Sequence, residues 1–397
     1  TIWADFGGQA RLRYENFRNQ TFGARSGDTD DWLLMRFRAH ADIHFGNWAR
    51  VFIEGIYADI YERELGPRPI DKNTGDFLNL FLEIGDRDLS GWIGRHELIL
   101  GDQRLIGPLD WSDTRREFQG IGGTWRSGFH EVVGFATEKV NIKSHCFDDI
   151  ADVDTYLYGV NYKNSVWTCT TWETYVIGLK QGNRQWGNTV ADEHRITVGG
   201  YVYGEIENTR FDYDTEAAVQ FGRHGDADIM AGFFSGTFGW KPCAKCLDPR
   251  FALGFDWASG DDDPDDDKVQ TFNQLFPTAH KYFGICDLLG RENLVAARID
   301  ASIKPADKLT IKAAYHGFWR ANSNDGVYGV TGGLVRAGTS ADSDFLGTEF
   351  DIVATYHMDR HWRFAAGWGH FFAGDFFSDT GAGEDVDFFY LEGQWTF

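Results

Sequence analysis

The chain has 397 residues, 16% of them aromatic, with 47 glycines against 3 methionines and 8 prolines. That composition suits an aromatic-rich all-β protein with glycine turns. Its formal charge of −22 speaks against nucleic acid as a partner, and five cysteines are too few for a disulfide scaffold in a chain this long. No window approaches about 18 continuous apolar residues, which excludes a spanning helix and leaves alternating strands as the way across a membrane.

The N-terminus lacks a basic start and an apolar core segment, so the chain is read as already processed. Residues 4 to 16 alternate Phe6, Gly8, Ala10, Leu12 and Tyr14 against Gln9, Arg11, Arg13 and Glu15. The ribbon from Asp31 to Phe45 sets Leu33, Met35, Phe37, Ala39, Ala41, Ile43 and Phe45 on one parity and Arg36, Arg38, His40, Asp42 and His44 on the other. Period two means a strand, and this one is longer than the usual globular strand of about five or six residues. After the Gly46-Asn47-Trp48 turn come strands with Val51, Ile53, Gly55 and Tyr57, then Leu78, Leu80, Leu82 and Ile84, then Trp92 to Leu100.

Strands follow near 116 to 126, 129 to 139, 155 to 163, 166 to 179, 193 to 206, 209 to 221 and 228 to 240, and another carries Phe251, Leu253, Phe255 and Trp257. A long insertion, Gly260 to Glu292, precedes the five clearest strands: 293 to 303, 308 to 320, 345 to 357, 361 to 373 and 386 to 397. Short and long connections alternate. No Pro/Ser-rich linker interrupts the pattern, so residues 1 to 397 read as one domain.

The fold class expected is therefore all-β: a transmembrane antiparallel β-barrel of about 18 strands with short periplasmic turns and long extracellular loops. A soluble sandwich or propeller also alternates, but a closed sheet of sixteen or more strands leaves an aqueous lumen. The charged parity then faces inward and the apolar parity faces outer-membrane lipid. Within residues 260 to 292, Leu275, Phe276, Tyr282, Phe283, Ile285, Leu288 and Leu289 are costly to leave in water. They are expected to fold into or over the pore, carrying His280 and Lys281 with them.

A channel selects by what lines its narrowest point. The inward basic residues read from parity are Arg11, Arg13, Arg36, Arg38, Arg50, Arg95, Arg298, Lys312, Arg320 and Arg363, most of them on strands that become neighbours at closure. Inward acids such as Glu15, Glu54, Glu83, Glu97, Asp212, Asp214, Glu216, Asp256, Asp300, Glu349 and Asp351 are at least as numerous. Two readings stand: a basic wall favouring a small hydrophilic or anionic solute, or a salt-bridge lattice that stiffens the wall and selects little.

The runs GRHEL (94–98), GDQRLIGPLDW (101–111), FPTAHKYFG (276–284) and YHGFWR (315–320) resemble the alginate-export family of outer-membrane proteins over nearly the whole chain. The resemblance implies an 18-stranded barrel that passes a polyanionic polysaccharide through an arginine-lined constriction, with Arg11, Arg38, Arg95 and Arg363 at lining positions.

Three other features remain. Asp261, Asp263 and Asp265 are weak Ca²⁺ candidates, since that ion wants 6 to 8 oxygens, but they lack the EF-hand spacing and a solvated external loop competes; no other cofactor is expected. Cys243 and Cys246 sit in a turn, where a local disulfide is the first reading and zinc the second, and Cys146 and Cys286, both in external loops, could pair. His40, His96 and His316 have no Ser and acid at a recognisable spacing, so no enzyme is expected. The function expected is a passive outer-membrane channel for a hydrophilic, possibly anionic, solute or polysaccharide. The alternative is a plugged structural or adhesive barrel.

Overall fold

The computed structural model describes residues 1–187, 189–242, 247–338 and 343–397. Alternating polar and apolar residues extend every strand until a glycine or an Asx turn breaks the period. Eighteen antiparallel strands result: β1 (Ile2–Arg18), β2 (Asp30–Phe45), β3 (Ala49–Tyr61), β4 (Asn73–Gly85), β5 (Leu89–His96), β6 (Phe118–Ser127), β7 (His130–Asn141), β8 (Ile150–Trp167), β9 (Thr170–Trp186), β10 (Thr189–Glu205), β11 (Phe211–His224), β12 (Ala227–Trp240), β13 (Arg250–Ala258), β14 (Leu294–Ala306), β15 (Leu309–Arg320), β16 (Phe345–His357), β17 (Trp362–Ala373) and β18 (Val386–Thr396). Each pairs with its sequence neighbours, and β1 closes the cylinder against β18 from Gln9↔Thr396 to Arg18↔Asp387.

No helix is long and apolar enough to cross a membrane. Instead the outward parity is a continuous apolar surface, with Phe6, Leu12, Phe37, Leu82, Ile93, Val160, Val219, Leu253, Ile299 and Leu391 all exposed. Water would penalise such a belt; lipid rewards it. The inward parity is polar and largely covered.

Both termini lie on one rim, whose turns are mostly short. The opposite rim carries the loops, but the expected alternation is imperfect. At the loop rim β9 and β10, and likewise β11 and β12, are only two residues apart in sequence, whereas β12 and β13, neighbours at the turn rim, are nine apart. β8 and β9 also run past the expected bounds, because their polar ends keep pairing, for example Thr155↔Gln181, where no apolar signal marks a strand. The loops that matter below are L3 (residues 97–117), L7 (residues 259–293) and L8 (residues 321–344).

Candidate functional site

L3 enters the barrel because arginines on the inner wall take its carbonyls. Arg11 donates to the Asp110, Trp111 and Ser112 carbonyls at 2.8, 3.0 and 3.3 Å and pairs with Asp113. Arg36 donates to the Asp110 and Ser112 carbonyls, both at 3.0 Å, and to Asp110 Oδ1 at 3.0 Å. Arg13 donates to the Trp111 carbonyl at 2.8 Å and lays its guanidinium 3.8 Å from the Trp111 ring centre. The opposite face of that indole stacks on His280 of L7 at 3.7 Å, and His280 pairs with Asp287 at 2.7 Å. One guanidinium, one indole and one imidazole thus bind wall, L3 and L7 into a single stack.

The other end of L3 reaches the far wall. Arg104 donates to Ser235 Oγ and to Glu216, each at 3.1 Å, and pairs with Asp214, so L3 bridges the lumen from β1 and β2 to β11 and β12. L7 zips onto it through the Gly107 N–H to the Phe276 carbonyl at 2.9 Å and the Phe276 N–H to the Leu105 carbonyl at 2.8 Å. Arg291 of L7 donates to Asp256 of β13 at 3.1 Å and to the Arg104 carbonyl at 3.2 Å. Deeper in L7, Asn273 exchanges two hydrogen bonds with Gln220 of β11, at 2.9 and 2.8 Å. The L7 tip rests on β16, where the Cys286 N–H donates to Glu349 at 2.9 Å. Gly284 is required there: its φ is +85°, and a Cβ would run into the Glu349 carboxylate.

Apolar packing completes the seat. Phe272, Leu275 and Phe276 bury with Phe118, Phe135, Leu157 and Ile177, while Tyr282, Phe283, Ile285 and Leu289 bury with Phe17, Trp32, Phe371 and Phe388. Each such side chain contributes roughly 1.5–3 kcal/mol.

The sequence-predicted residues therefore separate into groups. Arg11, Arg13 and Arg36 are inward, but all three are buried and committed to L3. Arg38 pairs with Glu54 at 2.8 Å and Arg298 with Asp300 at 2.7 Å, both partly exposed, and Arg363 pairs with Glu392 while keeping 35% of its side chain exposed. Lys312 is exposed on the inner parity and, among the described residues, makes no ion pair. His280 and Lys281 lie together at the L3–L7 junction, Lys281 pairing with Asp102.

Three expectations, on Arg95, on Arg320 and on the Cys146–Cys286 pair, need correction. Arg95 is not inward: Gly94 stands opposite inward Phe81, so Arg95 shares the parity of Ile93 and reaches Asp76 at 3.0 Å. Arg320 is inward but lines no pore, because it is spent on L8, donating to the Ser323, Asp325 and Gly338 carbonyls at 2.7, 3.1 and 3.0 Å. Cys146 and Cys286 are not bridged; Cys146 is exposed, and Cys286 is buried against β16 and β17. Asp261, Asp263 and Asp265 form a run of turns, with the Asp263 and Asp265 N–H groups donating to the carboxylates of Asp261 and Asp263 at 3.3 and 3.2 Å. The described carboxylates that gather as a group of three within 4.8 Å of one another are Asp76, Asp148 and Asp149. Asn73, Arg95 and backbone N–H groups supply donors to that group. Cys243 and Cys246 lie outside the described residues.

Reasoning from parity missed Arg104 and Arg291, which sit in loops where parity has no meaning. The mixed polar and apolar character of GDQRL (101–105) was the available signal for Arg104.

A model described as alginate export matches residues 2–389. No curated protein matches the chain. Solved outer-membrane proteins of Pseudomonas aeruginosa share the fold at low identity. OpdO is 12% identical with a TM-score of 0.68, over 99% of this chain and 97% of its own. OprD is 10% identical with a TM-score of 0.66, over 99% and 93%. OpdK, solved with vanillate, is 9% identical with a TM-score of 0.67, over 99% and 98%.

Proposed function

Because this chain belongs to the alginate-export family and forms an outer-membrane channel, we propose that it passes a single small hydrophilic solute at a time, an anion by preference, rather than an extended polysaccharide. The observation that carries this reading is the L3–L7 bridge, held at both walls by guanidinium groups and knit by apolar packing. A polymer would need the whole bridge withdrawn; a small solute needs only a path beside it. Anion preference rests on the basic groups that L3 leaves uncovered: Lys312, Arg363 and, less so, Arg38. OpdK, similar in fold, was solved with vanillate, a small carboxylate, which supports the size class.

Proteoliposome swelling tests this. Gluconate and benzoate should enter faster than uncharged solutes of equal size, and Lys312→Ala with Arg363→Ala should remove most of that difference. Oligo-uronates entering as readily as gluconate would overturn it. The apolar packing of L7 favours a second reading, a barrel closed to solutes, and swelling by no solute at all would select that one.

A further inference from the structure

On the loop rim, a pocket of about 170 Å³ lies between the upper end of β9 and a small hairpin of L8, Val327–Tyr328 paired with Leu334–Arg336. Its walls are Gln181, Asn183, Arg184 and Gln185 on one side and Tyr328 with Gly332 and Gly333 on the other. None of these residues takes part in the L3 bridge.

Three observations mark it as built to hold something. First, hydrogen-bonding capacity is left unspent. Among the described residues the side-chain amides of Gln181 and Asn183 have no partner inside the chain, and Arg184 Nε is buried with none. Asn183 is exposed and Gln181 partly covered, and free amides turned to a single hollow are what a polar ligand requires.

Second, the floor is charged but compensated. Arg184 donates to the Gly332 carbonyl at 2.9 Å and faces Glu292 at 3.4 Å, and the Glu292 side chain is fully buried with Oε2 unpartnered. The carboxylate offsets the guanidinium, so the pocket offers little net pull on an anion. Third, the hollow is kept open by backbone. Gly332 has φ +75°, and a Cβ there would stand 3.0 Å from Glu292 Oε1 and 3.4 Å from Arg184 Nη2.

Side-chain amides each bring donors and an acceptor, and Arg184, whose Nη2 is spent on Gly332 and Glu292 and whose guanidinium lies 4.1 Å from the Trp186 ring, is a fixed floor beneath them. That is the chemistry of vicinal hydroxyl groups, which give and take hydrogen bonds and carry no charge. We propose that the pocket between β9 and the L8 hairpin binds one uncharged sugar or polyol unit at the external mouth, separately from the solute path in the lumen. The proposal rests on the channel reading only for which side of the membrane this rim faces; the binding itself does not depend on transport.

The experiment is equilibrium dialysis and saturation-transfer NMR on the whole detergent-solubilised protein at pH 8, with glucose, mannose, galactose, sorbitol and glucuronate as probes. Saturable binding of at least one uncharged probe is expected, weakened at least tenfold by Asn183→Ala and by Gln181→Ala, with channel conductance in planar bilayers unchanged in both variants. Gly332→Ala, which fills the floor, should abolish it. Binding of glucuronate in preference to every uncharged probe would overturn the proposal, as would no saturable binding, or binding equal in wild type and all three variants. Loss of conductance in wild type would count against the channel and leave the dialysis result to be read by itself.

Discussion

At the scale of single residues, the lumen is organised by arginines that hold backbone rather than solute. Arg36 is 1% exposed and makes three bonds to L3 besides two to Gln9. Replacing it with alanine removes these bonds, while Arg11 still donates to both L3 carbonyls and Arg115 still pairs with the exposed Asp110 carboxylate, so the loss is about 1.5–3 kcal/mol, that of a charge-assisted hydrogen bond. Lysine keeps the charge but not the planar fork, so Arg36→Lys is also expected to loosen L3, read as faster proteolytic cleavage within residues 97–117 of the folded protein; cleavage as slow as wild type would contradict the assignment. How much of this was legible in the sequence follows from distance along the chain. Parity placed Arg11, Arg13 and Arg36 on the inner wall, but their partners lie 74 to 102 residues away, in a loop without period. Placing Arg95 inward runs against the alternation of its own strand, where Leu89 and Ile93 mark its parity as outward. Parity assigned Arg320 to the right face but at a strand end, where L8 claims it.

At the scale of elements, L7 is the segment whose inward fold its own composition announces, and its seat carries two perturbed acids. Burial, reinforced by Asp325, pushes Asp261 up to about 6, and burial pushes Glu292 up to about 7 against the pull of Arg184. Both bind a proton more tightly in the folded loop than in an unfolded chain, where 3.8 and 4.5 are ordinary. Their contribution is therefore full below about pH 4 and is lost as the pH rises through about 6 and about 7. Hydrogen exchange across residues 271–293, corrected for intrinsic rates, should be slower at pH 5 than at pH 8, and Glu292→Gln should keep the slow rate at pH 8. Protection that grows with pH in wild type would contradict the sign. The tip can be tested by chemistry: a Cβ at Gly369 would stand 3.0 Å from Cys286 Sγ. Oxidised Gly369→Cys should yield a peptide cross-linked between positions 286 and 369, and a failure to cross-link under strong oxidant would mean that the tip does not rest on β17.

At the scale of the whole molecule, outward apolar and inward polar residues alternate around a sheet closed by β1 against β18. That much could be read from the sequence, because a period of two survives any number of repeats. The interior could not, since which loops enter a barrel depends on contacts that only closure creates. On the proposed function, two loops, L3 and L7, narrow an otherwise wide cylinder to a selective path. The measurement that tests it most directly is single-channel conductance and reversal potential in a planar bilayer under a KCl gradient. Wild type would be compared with a variant in which residues 275–289 are replaced by a short Gly-Ser linker. A small, anion-favouring conductance that rises several-fold in the variant, with selectivity falling, is the result predicted. A large conductance in wild type that the replacement leaves unchanged would show that L7 does not stand in the path and would contradict the account.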